Sequence, residues 1–215
     1  MTTLIEQLSM HVQEQIVQSH ALGALPLGLS IFGSARTDPS HSDYKDAYNL
    51  AALAARHGIP VISGGGPGIM QAANQGAFEA NGIAIGLNIA LPNEQSSNQY
   101  QTHSLAYEHF APRKMAFVMH SCAFAVYPGG FGTLDELFEV LTLVQTGKSG
   151  ARPVVLVDRH YWTGLVDWMH AQVKTRRMIG PNDIELLQVV DDAQEAWTVL
   201  EPYLLHEHSK TQRIA

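Results

Sequence analysis

A chain of 215 residues with 46% hydrophobic content is long enough to bury one sizeable α/β core, and a formal net charge of −7 argues against a broad surface for a nucleic-acid backbone, though not against a small nucleotide. The single cysteine, Cys122, excludes an internal disulfide, and no apolar run reaches the roughly 20 residues of a membrane span. No charged-then-apolar leader precedes the first helical pattern, so the expected compartment is the cytoplasm, with neither membrane nor nucleic acid as partner.

Leu4, Leu8, Val12, Ile16 and Val17 recur at helical intervals and predict an N-terminal helix over residues 1–20, used for packing or contacts between chains. Leu27 to Phe32 reads as a first buried strand ending at Gly33-Ser34, followed by a helix from Ser42 to His57 that Gly58 closes. Ile59 to Ser63 is a second strand, Gly64 to Gly68 a glycine turn, and Ile69 to Glu79 an alanine-rich helix. Ile83 to Ile89 gives a third strand, and the polar, punctuated stretch from Pro92 to Thr102 a long loop of the kind that often carries function.

A helix from Pro112 to His120, with Pro112 at its first position, leads into the strand Ala123 to Tyr127. A second glycine turn, Pro128 to Thr133, then opens a helix marked by Leu134, Leu137, Phe138, Leu141 and Val144. Pro153 to Asp158 is a further strand, followed by an aromatic helix from Tyr161 to Lys174, a short strand Leu187 to Val190 and a final helix from Asp192. From His206 onward the tail is polar and expected to be loose. This alternation predicts a single domain over 1–215: a Rossmann-like, doubly wound parallel sheet flanked by helices on both faces.

Closely spaced glycines at a strand-to-helix turn let backbone N–H groups approach an anion, and the helix adds its unpaired donors and the positive end of its dipole. The Gly64 turn departs from the G-x-G-x-x-G dinucleotide fingerprint, and neither turn carries the lysine and hydroxyl residue of a P-loop. A nucleoside monophosphate fits better than a redox dinucleotide or a triphosphate. Each turn alone is equally well read as tight packing; two in one sheet favour a ligand. Asp135 reads as a favourable first-turn charge and Thr133 as a cap or a phosphate ligand, whereas Glu136 points to chemistry. The eleven histidines form no H-E-x-x-H pattern, so neither metal nor cofactor is expected.

Pro128, Gly129, Gly130, Gly132, Thr133 and Glu136 spell P-G-G-x-G-T-x-x-E, and with Gly33-Ser34, the Gly64 to Met70 segment and Arg113-Lys114 the chain resembles the LOG ("lonely guy") cytokinin riboside 5′-monophosphate phosphoribohydrolases. The resemblance spans about residues 27 to 160 and implies hydrolysis of the N-glycosidic bond of AMP or its N6-modified forms, to free base and ribose 5-phosphate. It implies Arg113 and Glu136 as the catalytic pair, Lys114 and Met115 beside them, and Gly129, Gly130, Phe131, Gly132, Thr133 and Leu134 around the phosphate. Gly33, Ser34, Gly65 and Gly66 line the neighbouring turns, and Glu94 and Thr142 are further contacts. It also implies a homodimer or a larger dimer-based assembly.

Proteins of this kind are also labelled "possible lysine decarboxylase", yet no pyridoxal-phosphate lysine with its partners is identifiable here. The alternative is a non-catalytic carrier of a nucleotide-like cofactor, of the molybdenum cofactor carrier type, and a nucleotide sensor is a third reading. Glu136, as a carboxylate near a helix N-terminus, is expected to stay ionised and to stabilise positive charge on the ribosyl group or orient water. Arg113 would neutralise phosphate or departing base.

Overall fold

A computed structural model describes residues 3–23, 25–90 and 97–212. The first helix, α1 (Leu4–Leu22), starts with a reciprocal cap: Thr3 accepts from the Glu6 amide while the Glu6 carboxylate accepts from the Thr3 amide. Then β1 (Gly28–Phe32), α2 (Ser42–Arg56), β2 (Val61–Ser63), α3 (Ile69–Glu79) and β3 (Ala84–Ile89) follow, with β4 (His103–Tyr107), α4 (Phe110–His120) and β5 (Ser121–Val126) after them. The chain continues through α5 (Phe131–Gln145), β6 (Val154–Val157), α6 (Arg159–Trp168), a π-helical turn Met169–Lys174, a 3₁₀ turn Asp183–Leu186, β7 (Leu187–Val190) and α7 (Ala193–Gln212).

All seven strands join one parallel sheet in the order β4-β3-β2-β1-β5-β6-β7. The central strands β1, β2, β5 and β6 are buried at every residue, which is why they read as unbroken apolar runs rather than as alternation. One face packs on α2, α3 and α7 through Leu50, Ala72, Trp197 and Leu200; the other packs on α4, α5 and α6 through Phe117, Leu137 and Trp162. The predicted Rossmann-like, doubly wound architecture is therefore the architecture observed. Chain order reverses between β1 and β5, the place where such sheets bind ligands at the carboxyl ends of their strands.

Four details differ from the sequence expectations. His103 to Tyr107, assigned to no strand, forms β4 at the sheet edge; its burial alternates, with Leu105 and Tyr107 inward and Ser104 and Ala106 outward, a weaker signal than a buried run. Helix α4 starts at Phe110, two residues before Pro112, whose missing N–H still falls in the first turn where no carbonyl awaits it. The predicted helix to Lys174 is α-helical only to Trp168. The segment from His206, expected as a tail, continues α7 as helix to Gln212, after Leu200 and Leu204 have buried completely against the core.

Candidate active site

The carboxyl ends of β2, β1 and β5, adjacent in the sheet, carry the three suspect turns. Backbone bonds knit them together: the Ser34 amide donates to Pro128 O at 3.0 Å, and the Ile69 amide to Ser34 O at 3.0 Å. Ser34 Oγ accepts from the Arg36 amide at 3.0 Å. At Gly68 the backbone has φ +66° and a Cβ would stand 2.2 Å from Ser34 O, so only glycine allows this entry to α3.

The Gly64 to Gly66 turn is held from a segment in which sequence reading found only a loop. Asn98 donates through its side chain to Gly65 O and Gly66 O, both at 3.0 Å, and through its backbone to Gly65 O at 2.8 Å; Gln101 Nε2 adds a bond to Gly65 O at 2.9 Å. Buried Asn74 ties this to the sheet, accepting from Ser63 Oγ at 2.7 Å and donating to Ile85 O at 3.1 Å. Amides clustered across a polar loop were the only available signal. Glu94 lies outside the described residues.

The Gly129 turn is open where a ligand needs space. A Cβ at Gly129 would meet Thr133 Oγ1 at 2.2 Å, whereas a Cβ at Gly130 or Gly132 would meet nothing within 4 Å. Gly130 is the N-cap of α5 and brings no side-chain cap, so the leading amides of Phe131, Gly132 and Thr133 remain as donors at the positive end of the helix. Thr133 is buried, third in the helix and not its cap. Phe131, 92% exposed, stands off the turn, while Leu134 turns inward against the core. Tyr161, which sequence reading left as part of an aromatic helix, donates its hydroxyl to Gly129 O at 2.6 Å and lines a cleft of about 730 Å³ with Ser34, Arg36 and His160.

Arg113 and Glu136 meet between α4 and α5. Arg113 is buried, lies over the Phe117 ring, and donates from Nε to Leu87 O at 2.7 Å and from Nη2 to Gly64 O at 3.3 Å. Its Nη1 stands 3.7 Å from Glu136 Oε1, an ion pair beyond hydrogen-bond length. The carboxylate expected to stay ionised is shifted by this environment toward its protonated form. Glu136 sits in the second turn of α5, past the reach of the helix dipole; its burial pushes the pKa up to about 7, against the opposing pull of Arg113. Burial likewise lowers the Arg113 pKa, with Glu136 opposing the shift.

Asp135 also lies past the first turn, and its partner is Lys114 at 3.1 Å. Lys114 reaches Glu139 at 3.1 Å as well. Burial pulls the Lys114 pKa down, but the two carboxylates outweigh it and raise it, so the ammonium is fixed between α4 and α5. Met115, next in α4, is half exposed on its outer surface. Thr142 is not brought to this site within the chain: it lies nine residues beyond Thr133, about 13 Å along the helix, and donates to Phe138 O at 2.7 Å. It lines a separate apolar cavity of about 450 Å³ with Leu141, Trp168 and Met169. No cluster of metal-ligating side chains exists among the described residues, and no described helix is long and apolar enough to cross a membrane.

A family model described as "Possible lysine decarboxylase" matches residues 70–200. A cytokinin riboside 5′-monophosphate phosphoribohydrolase of Arabidopsis thaliana is 30% identical over 178 residues, covering 80% of this chain and 81% of that protein. The chain belongs to this family. The family's Mycobacterium tuberculosis member is 29% identical over 171 residues, covering 76% of this chain and 89% of that one. A molybdenum cofactor carrier protein of Chlamydomonas reinhardtii superposes with a TM-score of 0.59 at 21% identity, over 84% of this chain and 99% of that chain, which shows a common fold.

Proposed function

We propose that the protein is a phosphoribohydrolase that cleaves the N-glycosidic bond of AMP or of N6-modified adenosine 5′-monophosphates. The supporting observation is the Arg113–Glu136 pair, 3.7 Å apart, on the helices that flank the open Gly129 to Thr133 turn. In this reading the phosphate takes the leading amides of α5, with Thr133 beside it. That leaves the ribosyl carbon to face Glu136. As the bond breaks, positive charge grows on the sugar and the ionised carboxylate stabilises it or orients the attacking water. Arg113 keeps its Nη1 hydrogens and one on Nη2 for the phosphate or the departing base, since Nε and the other Nη2 hydrogen are spent on carbonyls.

Lys114 supports this over decarboxylation. A Schiff-base lysine must shed its proton, and here two carboxylates hold the ammonium charged. The reading includes a pair of chains: Phe110, Met115 and Met119 stand exposed along α4, the helix that carries Arg113. Sedimentation equilibrium checks it.

Incubation with AMP and with isopentenyladenosine monophosphate, followed by chromatography of the free base, tests the activity. Base released by the parent and lost in Glu136→Gln supports hydrolysis. Tight nucleotide binding without base from either substrate overturns it and leaves the carrier reading.

A further inference from the structure

Before its last turn, where Leu22 is buried, helix α1 turns most of its apolar side chains outward. Ile5, Leu8, Val12 and Ile16 are exposed, while His11, Glu14, Gln15 and Gln18 are its half-buried inner face. Three of those polar groups, His11, Glu14 and Gln18, are spent on the junction between β4 and α4. Gln18 Nε2 donates to Ala106 O at 2.9 Å, the Glu108 amide donates to Glu14 Oε1 at 2.5 Å, and His109 Nδ1 lies 3.0 Å from Glu14 Oε2. The His11 ring meets the His109 ring edge-on at 4.1 Å.

His109 is the N-cap of α4 and makes no side-chain cap of its own. Glu14 instead holds the two residues that lead into the helix, accepting from the Glu108 amide and lying 3.0 Å from the His109 ring nitrogen, with its carboxylate near the positive end of the dipole. Arg113 is the fourth residue of that helix, so whatever fixes its first turn fixes the guanidinium. Tyr107, just before the junction, is 1% exposed, and its hydroxyl has no hydrogen-bond partner. Tyr107 thus lies buried one residue before the amide that Glu14 holds.

We infer that Glu14 is a positioning residue for Arg113, and that the N-terminal helix is thereby a working part of the site. The inference rests on the phosphoribohydrolase reading for its effect on rate, but not for its effect on α4. Arg113 needs such support, because a displacement of about 1 Å in a reacting or orienting group costs up to about a hundredfold in rate.

A double-mutant cycle on the full chain tests it, with base release from isopentenyladenosine monophosphate as the rate and hydrogen exchange as the second readout. Glu14→Ala is expected to lower kcat/KM about tenfold in the parent and less than about twofold in Arg113→Lys, whereas Glu14→Gln, which keeps an acceptor for the Glu108 amide, recovers most of the loss. Exchange across Glu108 to Arg113 is expected to quicken in Glu14→Ala while β5 stays protected. Equal losses in both backgrounds, or no loss, overturn the inference, as does unchanged exchange at the start of α4. If the parent releases no base, the hydrolase reading fails by itself, and the exchange comparison together with AMP affinity in the same four proteins decides the role of Glu14.

Discussion

Arg113 Nη1 and Glu136 Oε1 face each other at 3.7 Å across the gap between α4 and α5, close enough to influence each other's charge and too far apart to share a proton. The geometry leaves the guanidinium anchored by carbonyls of the sheet and the carboxyl held chiefly by its surroundings.

The first consequence is a pH dependence of stability. Burial raises the Glu136 pKa to about 7, so between the unfolded value near 4.5 and about 7 the folded chain binds more protons than the unfolded one, and stability falls as pH rises. Glu136→Gln removes that titration. Relative to the parent, the variant should gain stability across this window, by about 3 kcal/mol at most, on top of a constant offset from the lost partner of Arg113. Urea titrations at pH values from 4.5 to 8 check it; a stability difference that stays flat with pH contradicts the assignment. In the parent, kcat/KM should rise with pH about a midpoint near 7 if the ionised carboxylate does the work.

Two glycine substitutions should separate folding from binding. Gly68→Ala meets both a positive φ and the Ser34 carbonyl at 2.2 Å, and should cost about 1–3 kcal/mol or more. Gly130→Ala meets nothing within 4 Å, so the denaturation midpoint should hold while AMP affinity drops. Calorimetric titration alongside chemical denaturation distinguishes the two; equal affinity in Gly130→Ala would remove the phosphate from this turn.

Asn98→Ala deprives the Gly66 carbonyl of its side-chain donor and Asn74 of one of its partners, while Gly65 O keeps Gln101 Nε2. Leaving such groups unmet costs about 1–3 kcal/mol, and kcat/KM should fall with the loss of the Arg113 support at Gly64. Chymotrypsin susceptibility of the 97–102 segment, compared with Gln101→Ala, measures how far the turn has loosened.

Leu204→Ala tests whether the end of α7 belongs to the fold. The side chain is fully buried, so truncation should cost about 2–5 kcal/mol, whereas a side chain not packed on the core would tolerate it within about 0.5 kcal/mol. A denaturant midpoint unchanged from the parent would show that the segment contributes nothing.

The local order of residues determined a good deal. Apolar runs at β1, β2, β5 and β6 marked buried parallel strands because both faces of such strands are covered, and the glycine turns were legible because few other residues fit tight strand-to-helix turns beside a neighbouring backbone. The half-exposed β4 and the amphipathic end of α7 were not, since their signals depend on what packs against them. Arg113 and Glu136 were named from the motif, yet their relationship is tertiary. Only the packing of α4 against α5 brings together residues 23 positions apart, largely covers the carboxyl and raises its pKa to about 7. The same holds for Asn98 under the Gly65 turn and Glu14 at the mouth of α4, whose hydrogen bonds join segments 33 and 94 positions apart and leave no periodicity in the chain to read.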